Sequence, residues 1–580
     1  MIVLGLSGLP HSQPHHLRSR PGIAEVDSRI CQGMDSAACL VVDGNIVAAA
    51  AEERFTGDKA TGAFPEKAIA YCLDHAGITG DDVDLIAHGF NYDRFRRFFH
   101  RTPEYFDEVL SGRTVVEELA RTGWRNPGDR FRPVDHHVAH AASAYHLSGY
   151  EDALSVVSDG MGETVALTVH RFTRGRMEEL YSQGIDSSLG ILYSILTRYL
   201  GYTFNSDEYK VMGLSAYGDP RRYAEFFARF MGADEGRAAI GWPQGALGRA
   251  GEGYPDALAF LEESLGVAPR EPGAEVPDEY ADIAAAFQAR FSEVLTDLVR
   301  HWLRHTGQDS LCLSGGTFLN CLANQSISEL PEVSRMFVPP AAGDDGTAMG
   351  AALHVAGGFS GTFSAYTGPG YGADDVRSAL KAFERPGGGS PVWEYHGFTD
   401  EYMDLAARDL AEDRVVAWFA GRMEFGPRAL GNRSILALPN GDDIKGRLNA
   451  IVKMREGFRP FAPAILDSDY EEVFEGRALS PSRYMLSTAR TRPERIPRIR
   501  GAVHVDGTAR VQIVTKEDNE VFWRLLHKVK EHTGLGCVIN TSFNVKNQPI
   551  IASPDLALEA LERMSLGRLY IEGFRVGLGG

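Results

Sequence analysis

One pattern narrows the fold of this chain more than any other, because it occurs twice. An apolar run, Ile2 to Leu6, is followed by Ser36–Val42 and Ile46–Ala51, which flank Asp43-Gly44-Asn45, a strong signal for a tight β-hairpin. A second apolar run, Ala153 to Val157, leads through Ser158-Asp159-Gly160-Met161-Gly162 into the strand-like stretch Thr164 to Arg171. In both places an acidic residue sits beside a hairpin and helical stretches follow. The repeat predicts an α/β chain containing two βββα-type halves that face each other across a cleft. The plainer alternative is that a mixed α/β protein simply contains several hairpins.

At 580 residues the chain is long enough for about two to four domains. Tyr280 to Thr306 has the spacing of a long helix, with Ile283, Phe287, Phe291, Val294 and Leu298 on one face. Residues 219–280, rich in Gly, Pro, Ala and Glu, read as an elaborated loop or insertion. The Gly- and Ser-heavy stretch 356–392 ends Pro386-Gly387-Gly388-Gly389-Ser390-Pro391 and reads as a linker. It predicts two domains, residues 1–385 and 392–580.

Composition excludes several classes. A hydrophobic fraction of 44% with 24% charged residues is rich enough to bury a large core and argues against disorder. A net charge of −19 disfavours non-specific binding to nucleic acid or anionic membrane, so neither is expected as a partner. Six cysteines without a CxxC pair give neither a disulfide framework nor a zinc-finger spacing. The first residues lack the basic region of a signal peptide, and no apolar run reaches the ~18 residues of a membrane span. A soluble, cytoplasmic protein is expected.

Three constellations carry chemistry. In Asp135-His136-His137-Val138-Ala139-His140, His136 and His140 stand four apart, so a helix would project both imidazoles from one face toward one ion. Carboxylates must complete such a site. Asp159 and Asp344, each beside glycines after a strand, are the candidates; a capped helix with partly exposed histidines is the bland alternative. Leu311-Cys312-Leu313-Ser314-Gly315-Gly316-Thr317 passes from a strand through paired glycines into a helix, and Gly343 to Gly350 repeats the design. Glycine lets backbone approach a phosphate, and a helix start offers free N–H donors. Two such turns beside an acidic metal pair suggest a nucleotide cleft, although either alone is usually only a tight turn. There is no Walker A motif. The third constellation gathers cations among glycines: Gly426-Pro427-Arg428-Ala429-Leu430-Gly431-Asn432-Arg433, then Lys453 to Arg459, Arg510 and Asn540. Arginine forks grip phosphate in pairs of bonds, so this clustering points to a small anion pocket rather than a solvated basic face.

Taken in order along nearly the whole chain, these motifs resemble the O-carbamoyltransferases of antibiotic and nodulation-factor biosynthesis. Glu52-Glu53-Arg54-Phe55-Thr56 and Lys210-Val211-Met212-Gly213-Leu214-Ser215-Ala216-Tyr217-Gly218 add to the match. The resemblance implies a duplicated actin/hexokinase-like N-terminal domain, akin to threonylcarbamoyl-transferring proteins, and a YrdC-like C-terminal domain. It implies a reaction of carbamoyl phosphate with ATP to carbamoyl-adenylate, then carbamoyl transfer to a hydroxyl of a small-molecule acceptor, and it admits a homodimer. It further implies that His136, His140, Asp159 and Asp344 hold Fe²⁺ or another divalent ion, with Mg²⁺ an accompanying ion for ATP. Lys210, Gly315, Gly316, Asn320 and Gly346 would line the nucleotide. Lys59, Arg428, Arg433, Lys453, Arg459, Arg510 and Asn540 would grip carbamoyl phosphate, with Lys453, Arg459 and Arg510 stabilising the departing phosphate.

One departure stands out. The family's histidine after the first strand is replaced here by Met34, in Gly33-Met34-Asp35-Ser36, after an insertion over residues 9–33. Methionine cannot act as a general base. Asp35 or one of the insertion's histidines, His11, His15 or His16, is the replacement; alternatively the loop only shapes the acceptor pocket. Competing functions are a sugar or carboxylate kinase on the same core, tRNA threonylcarbamoyl transfer, and a non-catalytic nucleotide-binding scaffold. A kinase would release ADP.

Overall fold

The computed structural model describes residues 1–384, 390–441, 443–450 and 456–578. They form two compact units, Met1–Glu52 with Ala60–Phe363, and Glu53–Lys59 with Ser364–Gly580.

The first unit begins with β1 (Ile2–Leu6), α1 (Ser12–Ser19), β2 (Ala37–Val42), β3 (Asn45–Ala51), β4 (Leu85–His88) and β5 (Phe131–Pro133). These five strands lie in the order β3-β2-β1-β4-β5, with β1 antiparallel to β2 and parallel to β4. Asp43 and Gly44, at φ 48° and 78°, make the hairpin turn; two consecutive positive φ values match the right-handed twist of the flanking strands. After α2 (His136–Ser148) come β6 (Asp152–Ser158), β7 (Val165–Thr173), β8 (Arg176–Gly184) and α3 (Glu208–Leu214). A small hairpin of β9 (Met231–Asp234) and β10 (Arg237–Ile240) precedes α4 (Asp278–Thr306), β11 (Ser310–Ser314), α5 (Cys321–Ser328), β12 (Arg335–Phe337) and α6 (Asp345–Ala356). The second sheet runs β12-β11-β6-β7-β8. Here β6 is antiparallel to β7 and parallel to β11, as β1 is to β2 and β4. Both sheets therefore share one topology, and the duplication read from the two hairpin patterns is the architecture of this mixed α/β unit.

Its layers approach closely through glycine. A Cβ on Gly350 would meet the Ala139 carbonyl at 1.8 Å, and one on Gly5 would meet the Ala348 carbonyl at 1.9 Å. Lacking that atom, α6 lies directly against α2 and β1. This contact brings the starts of α2 and α6 together, and the site depends on it. The predicted α4 helix spans Asp278–Thr306 and buries Ile283, Phe287, Phe291, Val294 and Leu298. Residues 219–280 are more structured than their composition predicted. Phe226, Phe230, Trp242 and Phe260 form an aromatic cluster, with Phe230 4.9 Å from Trp242, and that core supports helices Ala224–Phe230 and Pro255–Leu265.

The second unit is built on an eight-stranded sheet. Its order is Val392–Tyr395, Phe574–Gly577, Leu569–Ile571, Val416–Phe419, Arg433–Ala437, Cys537–Ser542, Ala462–Leu466 and Gln512–Val514. One face buries Tyr402, Trp418 and Tyr570. The other buries Val376 and Leu380 of α7 (Ala373–Ala382) with Leu561 and Phe574. Since α7 packs into this core, the division between units falls at Phe363–Ser364, upstream of the expected one near 390. Residues 385–389, within the expected linker, lie outside the described residues. Among the described residues no helix is long and apolar enough to cross a membrane.

Candidate functional site

The Nε2 atoms of His136 and His140 face each other at 3.1 Å from the first turns of α2. Asp159, just beyond β6, places Oδ2 3.4 Å from His136 Nε2. Asp344, at the start of α6, places Oδ1 3.4 Å from His136 Nε2 and 3.6 Å from His140 Nε2. One ligand atom from each of these four residues lies within 4.8 Å of the other three. The His136 Nδ1 donates to the Gly89 carbonyl at 2.9 Å, so in the neutral ring Nε2 is the lone-pair nitrogen facing the carboxylates. Burial opposes charge on His136, but Asp344 and Asp159 hold it well above the ordinary imidazole range. Burial likewise opposes charge on Asp159, and the His136 hydrogen bond and the His140 charge hold its carboxyl below the ordinary range. Two imidazole nitrogens and two carboxylate oxygens converging in a buried space fit a divalent cation, which would satisfy all four at once. His137 points elsewhere: its Nδ1 meets Thr168 Oγ1 at 3.0 Å.

Both glycine turns abut this cluster. The Gly316 N–H donates to Asp159 Oδ1 at 3.0 Å, tying the loop after β11 to a cluster residue. Gly315 has φ 97° and ψ 155°, and a Cβ there would lie 2.1 Å from the Ser158 carbonyl. A Cβ on Gly346 would lie 2.0 Å from the Ala341 carbonyl. Asn320 caps α5, its Oδ1 accepting from the Ala323 N–H at 3.1 Å while its amide donates to Gln288. Lys210, on α3, pairs with Asp207 at 3.0 Å.

The cationic residues belong to the second unit, Lys59 included. Arg54, in the Glu53–Lys59 segment, donates to the Gly426 carbonyl at 2.8 Å and so joins that segment to the Gly426–Arg433 loop. The loop wraps round Glu424, whose Oε1 accepts from the N–H groups of Leu430, Asn432 and Arg433. Asn540 anchors it from the sheet, donating to the Ala429 carbonyl at 3.3 Å and to Gln512 Oε1 at 2.7 Å. Arg428, Arg459 and Arg510 are half-buried. Arg433 differs from its expected role. It is fully buried, stacks 3.5 Å over Phe419, and donates to the carbonyls of Ala420, Gly421, Asn432 and Pro369. Its fork is directed at main chain. Lys453 lies outside the described residues.

Comparison with known families decides the identity. The model described as carbamoyltransferase N-terminus matches residues 31–353, and that described as carbamoyltransferase C-terminus matches residues 407–577. The chain belongs to the carbamoyltransferase family. It is similar to the uncharacterized protein sll1178 of Synechocystis, 33% identical over 93% of this chain and 94% of that protein. It is similar to nodulation protein NolNO of Sinorhizobium fredii, 34% identical over 93% of this chain and 78% of that protein. The 3'-hydroxymethylcephem-O-carbamoyltransferase of Streptomyces clavuligerus is 36% identical over 48% of this chain and 50% of its own length.

In this carbamoyltransferase the insertion after β1 is fastened on several sides. His11 meets Glu118 at 3.2 Å and His15 meets Glu108 at 3.3 Å. Asp27 pairs with Arg198, and His16 is buried, which lowers its pKa. The histidines weighed as replacement bases are thus engaged in or against the surrounding structure. Met34 is buried, with Cys31 Sγ 3.6 Å from its sulfur. Asp35 sits at φ 58°, and its carbonyl accepts from Ser7 Oγ. Sequence reasoning missed Glu163, Glu424 and Gln512, which bond main-chain groups: Glu163 accepts from the His136 N–H, Glu424 from the Leu430 N–H, and Gln512 donates to the Leu430 carbonyl. No pattern of side chains in the sequence signals these contacts.

Proposed function

We propose that the enzyme catalyses ATP-dependent O-carbamoylation of a hydroxyl-bearing secondary metabolite. The observation that carries this reading is the convergence of His136, His140, Asp159 and Asp344 beside two glycine turns in one unit. In the second unit, Lys59, Arg428, Lys453, Arg459, Arg510 and the Asn540 amide would bind carbamoyl phosphate. Water would cleave it to carbamate and phosphate, and the cationic donors would stabilise charge on the departing phosphate. A carbamate oxygen would attack the α-phosphorus of ATP, forming carbamoyl-adenylate and expelling pyrophosphate. The acceptor hydroxyl would then attack the carbamoyl carbon and expel AMP.

His136, His140, Asp159 and Asp344 would hold a divalent cation, Fe²⁺ by resemblance, whose charge would offset that of the nucleotide phosphates. The side-chain-free backbone of Gly315, Gly316 and Gly346 would let the nucleotide approach closely, with Lys210 and Asn320 nearby. Asp35 would orient or deprotonate the acceptor hydroxyl. The test is to incubate the protein with ATP, carbamoyl phosphate and Fe²⁺ and to look for pyrophosphate and the mass of carbamoyl-adenylate. Turnover of ATP to ADP without a requirement for carbamoyl phosphate would overturn the proposal in favour of a kinase.

A further inference from the structure

Helix α2, which carries both histidines, does not cap itself. Its N-cap residue, Asp135, makes no hydrogen bond to the helix N-terminus, and there is no acid in the first turn. The Asp135 carboxylate turns away instead, accepting from Asn91 Nδ2 at 2.8 Å and pairing with Arg94. A free helix N-terminus buried this deeply needs an acceptor from elsewhere. Glu163 supplies it. Its Oε1 accepts from the His136 N–H at 2.9 Å and from the Asn91 N–H at 2.7 Å.

Glu163 is only 5% exposed and stands four residues after Asp159, in the same loop. That loop is pinned at the Gly162 carbonyl, which accepts from Gln32 Nε2 and the Tyr92 hydroxyl, both at 3.2 Å. The His136 ring is held independently by the Gly89 carbonyl, two residues before Asn91. Glu163 therefore braces three segments together: the loop bearing Asp159, the first residue of α2, and the turn that holds the His136 ring.

We infer that Glu163 is a positioning residue, an external cap that fixes the first turn of α2 so that His136 and His140 meet Asp159 at one point. The inference rests on the proposed reading of those four residues as metal ligands. It makes a distinction that charge alone would not. Glu163→Gln keeps an oxygen able to accept both N–H groups but removes the charge. Glu163→Asp keeps the charge and draws the carboxylate back by one methylene.

The test is Co²⁺ binding to chelator-stripped full-length protein, followed by the visible absorption of the bound ion, with melting curves to establish folding. Glu163→Gln is expected to bind close to wild type. Glu163→Asp and Glu163→Ala are expected to bind about 10- to 100-fold more weakly, the range for residues that orient metal ligands. If Glu163→Ala does not fold, the order of the Gln and Asp variants decides. Asp binding like wild type with Gln weakened would overturn the capping role, as would equal binding by all variants. His140→Ala is the control: if wild type takes up no more Co²⁺ than this variant, the metal-site reading fails as well. Wild-type binding with an unaffected Glu163 series overturns this inference alone.

Discussion

Asp159 is flanked by glycines that look interchangeable in sequence and are opposite in the fold, so one substitution made on each side should give opposite results. Gly315, whose loop holds Asp159 through Gly316, has φ 97° and ψ 155°, a region essentially closed to other residues. Placing alanine there costs about 1–3 kcal/mol in backbone strain. Its Cβ would also come 2.1 Å from the oxygen and 2.7 Å from the carbon of the Ser158 carbonyl. Because that obstacle is main chain at the end of β6, relief needs a backbone shift, adding about 1–3 kcal/mol of overpacking. A loss of about 2–6 kcal/mol is a large part of the ~5–15 kcal/mol that holds a typical domain folded. Gly160, next to Asp159, lacks a positive φ, and its Cβ would meet nothing within 4 Å. Alanine there should be neutral or stabilise by about 0.4–1 kcal/mol, by restricting the unfolded chain. Calorimetry that resolves the N-terminal unit's transition, with Co²⁺ uptake measured alongside, makes the comparison. Gly315→Ala should melt at least several degrees lower and lose metal binding; Gly160→Ala should do neither. Equal melting temperatures for the two variants would refute the reasoning.

Burial pushes the Glu572 carboxyl up to about 7, with Arg433 and the Gly421 N–H acting in the opposite direction. The folded state thus binds this proton more tightly than the unfolded one. The stability linked to it is full below the unfolded pKa and is lost as pH rises through about 7, a change of order 3 kcal/mol at most. Glu572→Gln, which can still accept from Gly421, should therefore gain stability over wild type as urea titrations move from pH 5 to pH 8; a constant difference would contradict the assignment. Arg433→Ala should lose several kcal/mol in the same assay, because buried carbonyls lose their donor at about 1–3 kcal/mol each. Arg428→Ala should cost much less stability and instead raise the KM for carbamoyl phosphate. The reverse pattern would return Arg433 to the anion pocket.

What could be read from sequence was whatever local periodicity determines. His136 and His140 are held in relation by the helical repeat alone, and the hairpins around residue 43 and after residue 153 by turn chemistry. Asp159 and Asp344 were legible as candidates because the histidine pair demanded carboxylates and each of them stands in a glycine turn after a strand, where backbone can approach a ligand. Arg433 was not, because an arginine in a glycine-rich loop reads the same whether its fork meets phosphate or main chain. The deciding acceptors include the Pro369 carbonyl, distant in sequence and on a loop of no marked character. The division between compact units lies away from the expected linker for a related reason: a Gly-rich composition is read from local pattern alone, whereas Val376 and Leu380 determine which core α7 joins. Glu163 is the extreme case. Its partners are two main-chain N–H groups, which every residue but proline carries, so no pattern of side chains could announce them. Groups that meet a ligand directly must be of particular residue types and leave a mark in sequence. Groups that orient them through the backbone leave almost none, and here they include the only described acceptor for the first N–H of the helix that bears both histidines.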